Sequence, residues 1–193
     1  MMAAPSTEVF KASTMEQRQN METSENEATR KEIQLACFRV GEEMYALDIM
    51  RIKEIIRPQK LTPVPKAPAF VEGVINLRGA VIPVVDLRKR FDQPIHPDNR
   101  ATRILICTLS GKMVGLIADE VTEVRRYTRK EVQPAPQFLK GKGAEYFLGV
   151  CRHGEELVML IDLEKILTTD EKINLEKVDS FSANMQPASG DKE

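Results

Sequence analysis

Several residue types that mark common functional sites are scarce in this chain. It has no Trp, aromatic residues make up 5%, and only two His and three Cys occur among 193 residues. Lys plus Arg number 28 and Asp plus Glu 29, so the net charge is -1 and the basic excess of nucleic-acid-binding proteins is missing. No apolar run reaches the length needed to cross a bilayer. The sequence predicts a protein that neither binds nucleic acid nor inserts into a membrane.

The three cysteines, Cys37, Cys107 and Cys151, lie far apart, and two of them sit inside apolar runs. We interpret them as buried free thiols of a reducing compartment rather than as a disulfide framework. Residues 1–31 mix acidic and basic side chains and lack the apolar core of a signal peptide. These features predict a cytoplasmic protein.

Composition separates a folded region from two polar ends. Residues 1–31 are rich in Ser, Thr, Gln, Asn and Glu, and residues 171–193 look similar. Such segments have few apolar groups to offset the entropy of ordering, so we expect two flexible tails. A short amphipathic helix between Ser13 and Ile33 is an alternative for part of the first. The folded region is predicted at 32–170.

The folded region repeats itself. The run Leu35–Gly41 is answered by Leu105–Gly111 at an offset of 70 (105 minus 35), which superposes Cys37 on Cys107. Further matches are Pro63-Val-Pro65 with Pro134-Ala-Pro136, Gly73-Val74 with Gly149-Val150, and Asp86-Leu87 with Asp162-Leu163. Their offsets of 71, 76 and 76 (134 minus 63, 149 minus 73, 162 minus 86) place an insertion after Pro136, near Gly141–Gly143.

Each half therefore contains the same elements in the same order. These are a strand, a turn, a second strand, a bent segment, a Pro-x-Pro connector, a hairpin and a short helical stretch. The second strands are Tyr45–Ile49 and Met113–Ala118, the hairpins Phe70–Leu87 and Tyr146–Leu163, and the helical stretches Leu87–Phe91 and Leu163–Leu167. The bent segment Arg51–Arg57 fits either a strand or a helical turn, and we favour a strand.

Five short strands with proline-rich connectors avoid wide exposed edges by closing into a small barrel. The sequence thus predicts a mainly β protein of two pseudo-repeated five-stranded barrels, packed side by side, with short helices. The barrels are expected at about 32–100 and 101–170.

The hairpin that follows Gly73 presents one charge, Arg78, at its turn. Gly79 supplies a positive φ and Asn76 is a common turn former. The flanking Val and Ile runs make both faces of the hairpin apolar, so one face should fill its own barrel. The other needs a cover, either the second barrel or a partner protein. Arg78 is then either a solvated turn residue or the charge of a binding site.

Candidate catalytic and metal-binding residues are few. Cys151 and His153 form the one Cys-x-His pair, but no second cluster with metal-ligand spacing accompanies them. Gly141-Lys-Gly143 lacks the Ser or Thr and the length of a P-loop. Neither a metal nor a cofactor is therefore expected, and an enzyme that uses Cys151 and His153 remains a remote alternative.

Two recurring charged patterns have structural explanations. Asp86 and Asp162 each precede a leucine and a helical turn, so helix N-capping explains them better than paired catalytic carboxylates. The basic cluster Arg125, Arg126, Arg129 and Lys130 is balanced by Glu120, Glu123 and Glu131, which favours a solvated face over a nucleic-acid patch. The chain is thus predicted to be an interaction module and not an enzyme.

Many ordered motifs follow one another between about Ile33 and Leu167. They are Phe38-x-Val40-Gly41, Tyr45-Ala-Leu-Asp48, Ile52-Lys-Glu54-Ile55, Thr62-x-Val64-Pro65, Pro68-Ala-Phe70, Gly73-Val-Ile-Asn-Leu-Arg-Gly79, Ile82-Pro-Val-Val-Asp-Leu87, Ala118-Asp119-x-Val121 and Pro134-Ala-Pro136. Through these motifs the sequence resembles the CheW-like chemotaxis coupling proteins. The family fold, two five-stranded SH3-like barrels around a shared core, agrees with the repeat.

The resemblance implies a cytoplasmic adaptor, located at the inner face of the membrane, within a two-component system. Its partners would be the cytoplasmic tip of methyl-accepting chemoreceptors and the regulatory domain of a CheA-type histidine kinase. It also implies that Arg78 and Glu54 belong to the receptor-contacting region, with Ile52, Gly73 and Asn76 beside them. Individual kinase-contact residues are not implied. A coupler of a non-flagellar pathway, for surface motility or development, is the alternative within the family.

Two features depart from the family pattern. The N-terminal tail is longer than the domain requires, and Arg103 begins a strand where an apolar residue is expected. The first suggests an additional partner and the second an altered kinase contact. Since no receiver or kinase domain accompanies the folded region, we expect a stand-alone coupler.

Overall fold

The computed structural model describes residues 32–135 and 144–167. Its strands are β1 (Glu32–Val40), β2 (Glu43–Asp48), β3 (Ile52–Ile56), β4 (Val71–Leu77), β5 (Ala80–Asp86), β6 (Arg103–Leu109), β7 (Lys112–Ala118), β8 (Glu120–Thr128), β9 (Phe147–His153) and β10 (Glu156–Ile161). A one-turn helix, α1 (Leu87–Arg90), follows β5. Short 3-10 turns occupy Ile49–Arg51, Arg129–Glu131 and Ala144–Tyr146. Both predicted tails and the insertion near Gly141–Gly143 lie outside the described residues.

The strands form two five-stranded sheets. The first has the order β8-β1-β2-β10-β9 and the second β3-β6-β7-β5-β4. We call them barrel one and barrel two. Within each, all neighbours are antiparallel except one parallel pair, β2 with β10 in barrel one and β5 with β7 in barrel two. The predicted class, mainly β with two five-stranded SH3-like barrels, is confirmed. No helix within the described ranges is long and apolar enough to span a membrane.

The barrels do not follow the predicted division near residue 100. The hairpin β1–β2 pairs with β8, β9 and β10 from the second half of the chain, while β6–β7 pairs with β3, β4 and β5 from the first. Each half therefore donates its first hairpin to the sheet of the other half. The short 3-10 turn Ile49–Arg51 carries the chain from β2 in barrel one to β3 in barrel two.

Hydrogen-bond register corrects one predicted repeat offset. Val40 pairs with Glu43 and Leu109 with Lys112 across two-residue turns, so β1–β2 superposes on β6–β7 at an offset of 69 (109 minus 40) and not 70. Cys37 is therefore the counterpart of Ile106. The physical reason is that strand pairing, unlike residue identity, sets which side chains face inward.

The later offsets of 71 and 76 agree with the backbone. An isolated bridge joins Thr62 to Val74, and its counterpart joins Gln133 to Val150, 71 and 76 residues further on. Both bridges pass beside a glycine, since a Cβ on Gly73 would lie 2.4 Å from the Thr62 carbonyl oxygen and one on Gly149 2.4 Å from that of Gln133. These two glycines let the proline-containing connectors approach the hairpins.

The main hydrophobic cluster lies between the barrels, and we call it the seam core. Its members from the exchanged hairpins occupy equivalent positions at the offset of 69: Phe38 and Cys107, Val40 and Leu109, Tyr45 and Val114, Leu47 and Leu116. The hairpin β4–β5 contributes Val71 and Val85 to it, while Ile75 and Ile82 fill the interior of barrel two. The second apolar face of this hairpin therefore packs against the other barrel.

Two local predictions have different outcomes. The segment Arg51–Arg57 contains the strand β3, as favoured. Leu87–Phe91 forms α1 with Phe91 as its C-cap, but Leu163–Leu167 forms only a turn, in which Lys165 N and Ile166 N donate to the Asp162 carbonyl oxygen. The predicted helical stretch Leu163–Leu167 is therefore a single turn and not a helix in the described residues.

Substituting Gly73 tests the close approach of connector and hairpin. Gly73 has a φ of +148° and is buried, so Gly73→Ala places a methyl group against the Thr62 carbonyl in a strained conformation. We expect a loss of at least about 2 kcal/mol in the free energy of unfolding, measured by urea denaturation. The control is Gly111→Ala, because Gly111 has a φ of +80° but no neighbour within 4 Å and should lose about 1 kcal/mol. Equal losses would contradict the steric argument.

Candidate protein-binding site

The turn between β4 and β5 carries two residues with left-handed backbone conformations. Arg78 has a φ of +53° and Gly79 of +87°, and Leu77 pairs with Ala80 across them. Two positive φ values define the type I′ turn, whose twist matches that of a hairpin. The N–H of Gly79 donates to Asn76 Oδ1 at 2.9 Å, which fixes the turn from the strand side. A bulky residue at the first turn position is uncommon, since the left-handed region costs a non-glycine residue about 1–2 kcal/mol.

The side chain of Arg78 meets Glu54 across barrel two. Arg78 Nη2 lies 3.0 Å from Glu54 Oε1, although β3 and β4 are at opposite edges of the sheet. The Arg78 side chain is 79% exposed and that of Glu54 33%. An ion pair this exposed contributes little to folding. Its donors and acceptors are instead accessible to a second protein.

The five predicted site residues occupy different environments. Asn76 is exposed and caps the turn, so Glu54, Asn76 and Arg78 form one surface, which we call the charged lip. Ile52 begins β3 and packs partly against the seam core. Gly73 is buried and its Cβ position is filled by Thr62. It therefore shapes the hairpin through the backbone, without surface of its own to offer a partner.

Two exposed apolar residues close to Glu54 in sequence were not predicted. Met50, in the 3-10 turn that joins the barrels, is 80% exposed, and Ile55 of β3 is 41% exposed. Asp48 N-caps this turn by accepting a hydrogen bond from Met50 N at 2.9 Å. A capping Asp before an apolar run signals such a turn, but exposure of its methionine depends on the crossing between barrels.

Barrel one carries a related but different arrangement. Glu123 of β8 is the counterpart of Glu54 (123 minus 54 is 69). Its carboxylate lies 2.8 Å from Arg125 Nε on its own strand and 3.8 Å from His153 Nε2 across the barrel. Interaction with Arg125 is the main cause that lowers the pKa of Glu123. Both barrels therefore carry a glutamate at this position. In barrel two an arginine from the opposite edge of the sheet contacts it, and in barrel one the arginine comes from the same strand.

The nearby Arg126 and Glu131 also have partners. Arg126 lies 3.9 Å from Glu32, and Glu131 accepts hydrogen bonds from Thr128 N and Oγ1 at 2.7 and 2.9 Å. These contacts agree with a solvated face of alternating charge.

The Cys151 and His153 pair does not have the environment of a catalytic nucleophile and base. Cys151 is 1% exposed in the interior of barrel one, and burial raises the pKa of its thiol to about 11. His153 Nδ1 is buried and has no hydrogen-bond partner among the described residues, and Nε2 faces Glu123. A nucleophilic cysteine needs a lowered pKa, so this thiol is unreactive. Within residues 32–135 and 144–167 there is no group of three His, Cys, Asp or Glu suited to a metal ion.

Asp86 and Asp162 cap turns, as predicted. Asp86 Oδ1 accepts from Arg88 N at 2.9 Å, and Asp162 Oδ1 accepts from Glu164 N at 3.1 Å. Asp86 also anchors a buried ion cluster that the sequence reasoning missed. Its carboxylate receives the Arg88 guanidinium at 2.8 Å, and the same guanidinium contacts Asp119 at 3.1 Å and Asp98 at 3.2 Å. Hydrogen bonding to Asp86 is the main cause that raises the pKa of Arg88.

A protein-family model, the CheW-like domain, matches residues 34–171, which include both barrels and the charged lip. The chain belongs to the CheW-like family. The match begins two residues after the first residue of the predicted folded region and ends one residue after its last.

Known relatives of this CheW-like chain agree with that assignment. It is 37% identical over 144 residues to "Chemotaxis protein CheW" of Treponema pallidum, covering 72% of this chain and 85% of the relative. It is 32% identical to "Protein FrzA" of Myxococcus xanthus, covering 72% of this chain and 88% of that relative. The crystal structure of the scaffolding protein TtCheW from Thermoanaerobacter tengcongensis matches with a TM-score of 0.67 and 31% identity, covering 72% of this chain and 90% of that one.

The buried thiols give the CheW-like chain a predictable alkaline stability profile. Burial raises the pKa of Cys107 to about 12 from an ordinary 9.0. The folded state therefore keeps this proton at pH values where the unfolded state releases it, so the stabilisation is complete below pH 9 and is lost as pH rises towards 12. We expect the free energy of unfolding to fall less steeply between pH 9 and 11 in Cys107→Ala than in the unmodified protein. The measurement is urea denaturation across that range.

The control is Leu105→Ala, which also removes buried volume from the seam core but no titrating group. It should lower stability about equally at every pH and keep the original slope. Parallel pH profiles for all three proteins would show that Cys107 does not titrate differently in the folded state.

Proposed function

We propose that this chain is a non-catalytic adaptor that couples the cytoplasmic tips of chemoreceptors to a CheA-type histidine kinase. The observation that carries the proposal is the CheW-like match across both barrels. Relatives named as chemotaxis proteins and a structural relative named as a scaffolding protein support it. An adaptor works through surfaces that hold two proteins together, which agrees with the unreactive thiol of Cys151.

The charged lip is the proposed receptor contact. A receptor tip is a helical hairpin, and such a partner binds by laying an apolar ridge against an apolar surface. Ile55 and Met50 offer exposed apolar side chains on β3 and the turn before it. Arg78 and Glu54 then fix the register of the helices through polar contacts. Ile52 supports β3 from the seam core, and Gly73 supports the hairpin.

The proposed partners place the adaptor in the cytoplasm, at the inner face of the membrane where receptor arrays assemble. Buried free thiols at Cys37, Cys107 and Cys151 suit that reducing compartment. Binding there requires no membrane-spanning segment, because the receptors supply the anchor.

A second candidate is the same adaptor role in a non-flagellar pathway of surface motility or development. The observation that favours it is the 32% identity to Protein FrzA, which is close to the 33% shared with "Chemotaxis protein CheW" of Klebsiella aerogenes. The two candidates differ in the cognate kinase and receptors. Affinity of the chain for the kinase of each pathway in the same organism separates them, the tighter complex identifying the pathway.

Removing Arg78 should weaken receptor binding without unfolding the protein. Arg78→Ala deletes an exposed guanidinium and relieves the left-handed strain only slightly, so the melting temperature should stay within about 2 °C. We expect the Kd for a receptor cytoplasmic fragment to rise about ten-fold, as for loss of one well-placed arginine. Isothermal titration calorimetry gives the Kd.

The matched control is Arg152→Ala. Arg152 is an exposed arginine on β9, the counterpart of the strand that precedes Arg78. It removes the same charge from the other barrel and should leave the Kd unchanged. An equal effect of the two variants would mean that net charge, and not the lip, governs the affinity.

Reconstitution tests the adaptor role itself. The chain, a cognate kinase and a receptor cytoplasmic fragment should co-elute as one complex in size-exclusion chromatography. Without the chain, the kinase and the receptor fragment should elute separately, because the adaptor supplies the bridge. Failure to form a ternary complex with any cognate pair would overturn the proposed function.

A further inference from the structure

An open pocket of about 430 Å³ lies at the end of barrel two where β3 ends and β6 begins. Three of its lining residues are arginines and one is an acid. The lining consists of Arg57, Pro58, Asp98, Asn99, Arg100, Thr102 and Arg103. None of these residues belongs to the charged lip.

Two of the arginines lie at the same end of a strand pair. Ile56 and Ile104 are the last pair of the antiparallel ladder of β3 and β6, and Arg57 and Arg103 adjoin them at the end where both line the pocket. Like charges close together across a strand pair are destabilising. An apolar residue at either position would remove this repulsion, so the pair has a cost that folding alone does not explain.

The positive charge of the pocket is not neutralised by neighbouring acids. Arg103 Nη1 donates to the carbonyl oxygens of Arg100 at 2.8 Å and Thr102 at 2.7 Å, which orient the guanidinium without cancelling its charge. In the described part of the chain, no carboxylate forms an ion pair with Arg57, Arg100 or Arg103. Asp98 is already bound by the buried Arg88 at 3.2 Å. Three cations therefore face one shared carboxylate.

The loop that carries Arg100 is fixed before any ligand arrives. Asn99 Oδ1 accepts from Ala101 N at 2.7 Å, and Thr102 Oγ1 accepts from Asn99 N at 2.9 Å. Thr102 itself is 1% exposed. With Asp98 tied to Arg88, the loop is held on both sides of Arg100. A preorganised site avoids the entropy cost of ordering a loop on binding.

We propose that this pocket binds a phosphate-type dianion through Arg57, Arg100 and Arg103. Arginine forks match the oxygen geometry of phosphate, and an excess of about two positive charges is balanced by one dianion better than by a single carboxylate. The ligand is either a free phosphate compound or a phosphoryl group on a protein side chain, since both present the same oxygens. This binding goes beyond the proposed coupling function, which uses a different surface.

The test is calorimetric titration of the full chain with inorganic phosphate at constant ionic strength. We expect saturable binding that weakens at least ten-fold in the double variant Arg57→Gln with Arg103→Gln. The control variant, Arg126→Gln with Arg152→Gln, makes the same change of net charge on exposed arginines of barrel one and should bind as the unmodified protein does. Absence of saturable binding, or equal weakening in both variants, would overturn the proposal.

Two further probes define the ligand chemistry. Malonate at the same concentrations carries two carboxylates, and binding as tight as that of phosphate would overturn the assignment to phosphate. O-phosphoserine, with serine as its control, represents a phosphoryl group on a side chain. Competition with phosphate by O-phosphoserine supports the proposal with a protein-borne ligand, and binding of phosphate alone supports it with a free one.

A stability measurement provides an independent readout. In low salt without phosphate, the pocket variant should unfold at the same or a higher temperature than the unmodified protein, because the repulsion between Arg57 and Arg103 is relieved. In phosphate the unmodified protein should unfold at the higher temperature, since only it gains binding energy. A difference in melting temperature that is the same in both buffers would contradict the site.

Discussion

The exchange of the first hairpin between the two halves is the constraint on which the rest of the structure depends. Neither five-stranded sheet is complete without strands from the other half. The halves join at the parallel pairs β2–β10 and β5–β7 and at the antiparallel pairs β1–β8 and β3–β6. The exchanged hairpins place equivalent side chains, such as Tyr45 and Val114, in one seam core. The barrels therefore share both their backbone ladders and their largest hydrophobic cluster, which makes them one cooperative folding unit.

A buried arginine holds the connection between the halves. Arg88 is 3% exposed and bridges Asp86 at the start of α1, Asp119 at the corner between β7 and β8, and Asp98 in the linker before β6. Asp119 also accepts a hydrogen bond from Gly41 N at 2.7 Å, in the turn of the hairpin that barrel one received. Removing Asp86, the buried partner, leaves the buried guanidinium of Arg88 poorly paired, which is costly. Its counterpart 76 residues later is Glu164, so the repeat does not preserve this cluster.

The sequence predicted the elements well because their signals are local. Short apolar, β-branched runs marked the strands, Asp86 and Asp162 marked the capped turns, and the match of Gly73-Val74 with Gly149-Val150 marked the equivalent hairpins. The exchange of hairpins was not predictable in this way, because the partner of a strand is a long-range property. The superposition of Cys37 on Cys107 failed for the same reason, since matching letters do not report ladder register.

The candidate site shows the same division between local and long-range signals. The turn around Asn76 and Gly79 follows from its residues, whereas the contact of Arg78 with Glu54 depends on closure of barrel two. Buried polar clusters and the exposure of Met50 also depend on how the barrels meet.

Comparison of the two halves separates scaffold from function. Positions that the repeat keeps, such as the glycines beside the connectors and the seam-core pairs, serve the fold in both barrels. Glu54 and Glu123 are equivalent, yet Glu123 is held by Arg125 on its own strand, while Glu54 meets an arginine from the far edge of the sheet. The corresponding turn of barrel one has Gly154 at the position of Arg78, and a glycine adopts a positive φ without strain. In this pair of turns, only the one in barrel two places a strained arginine at that position. The proposed receptor contact would account for a charge that costs backbone strain and adds little stability.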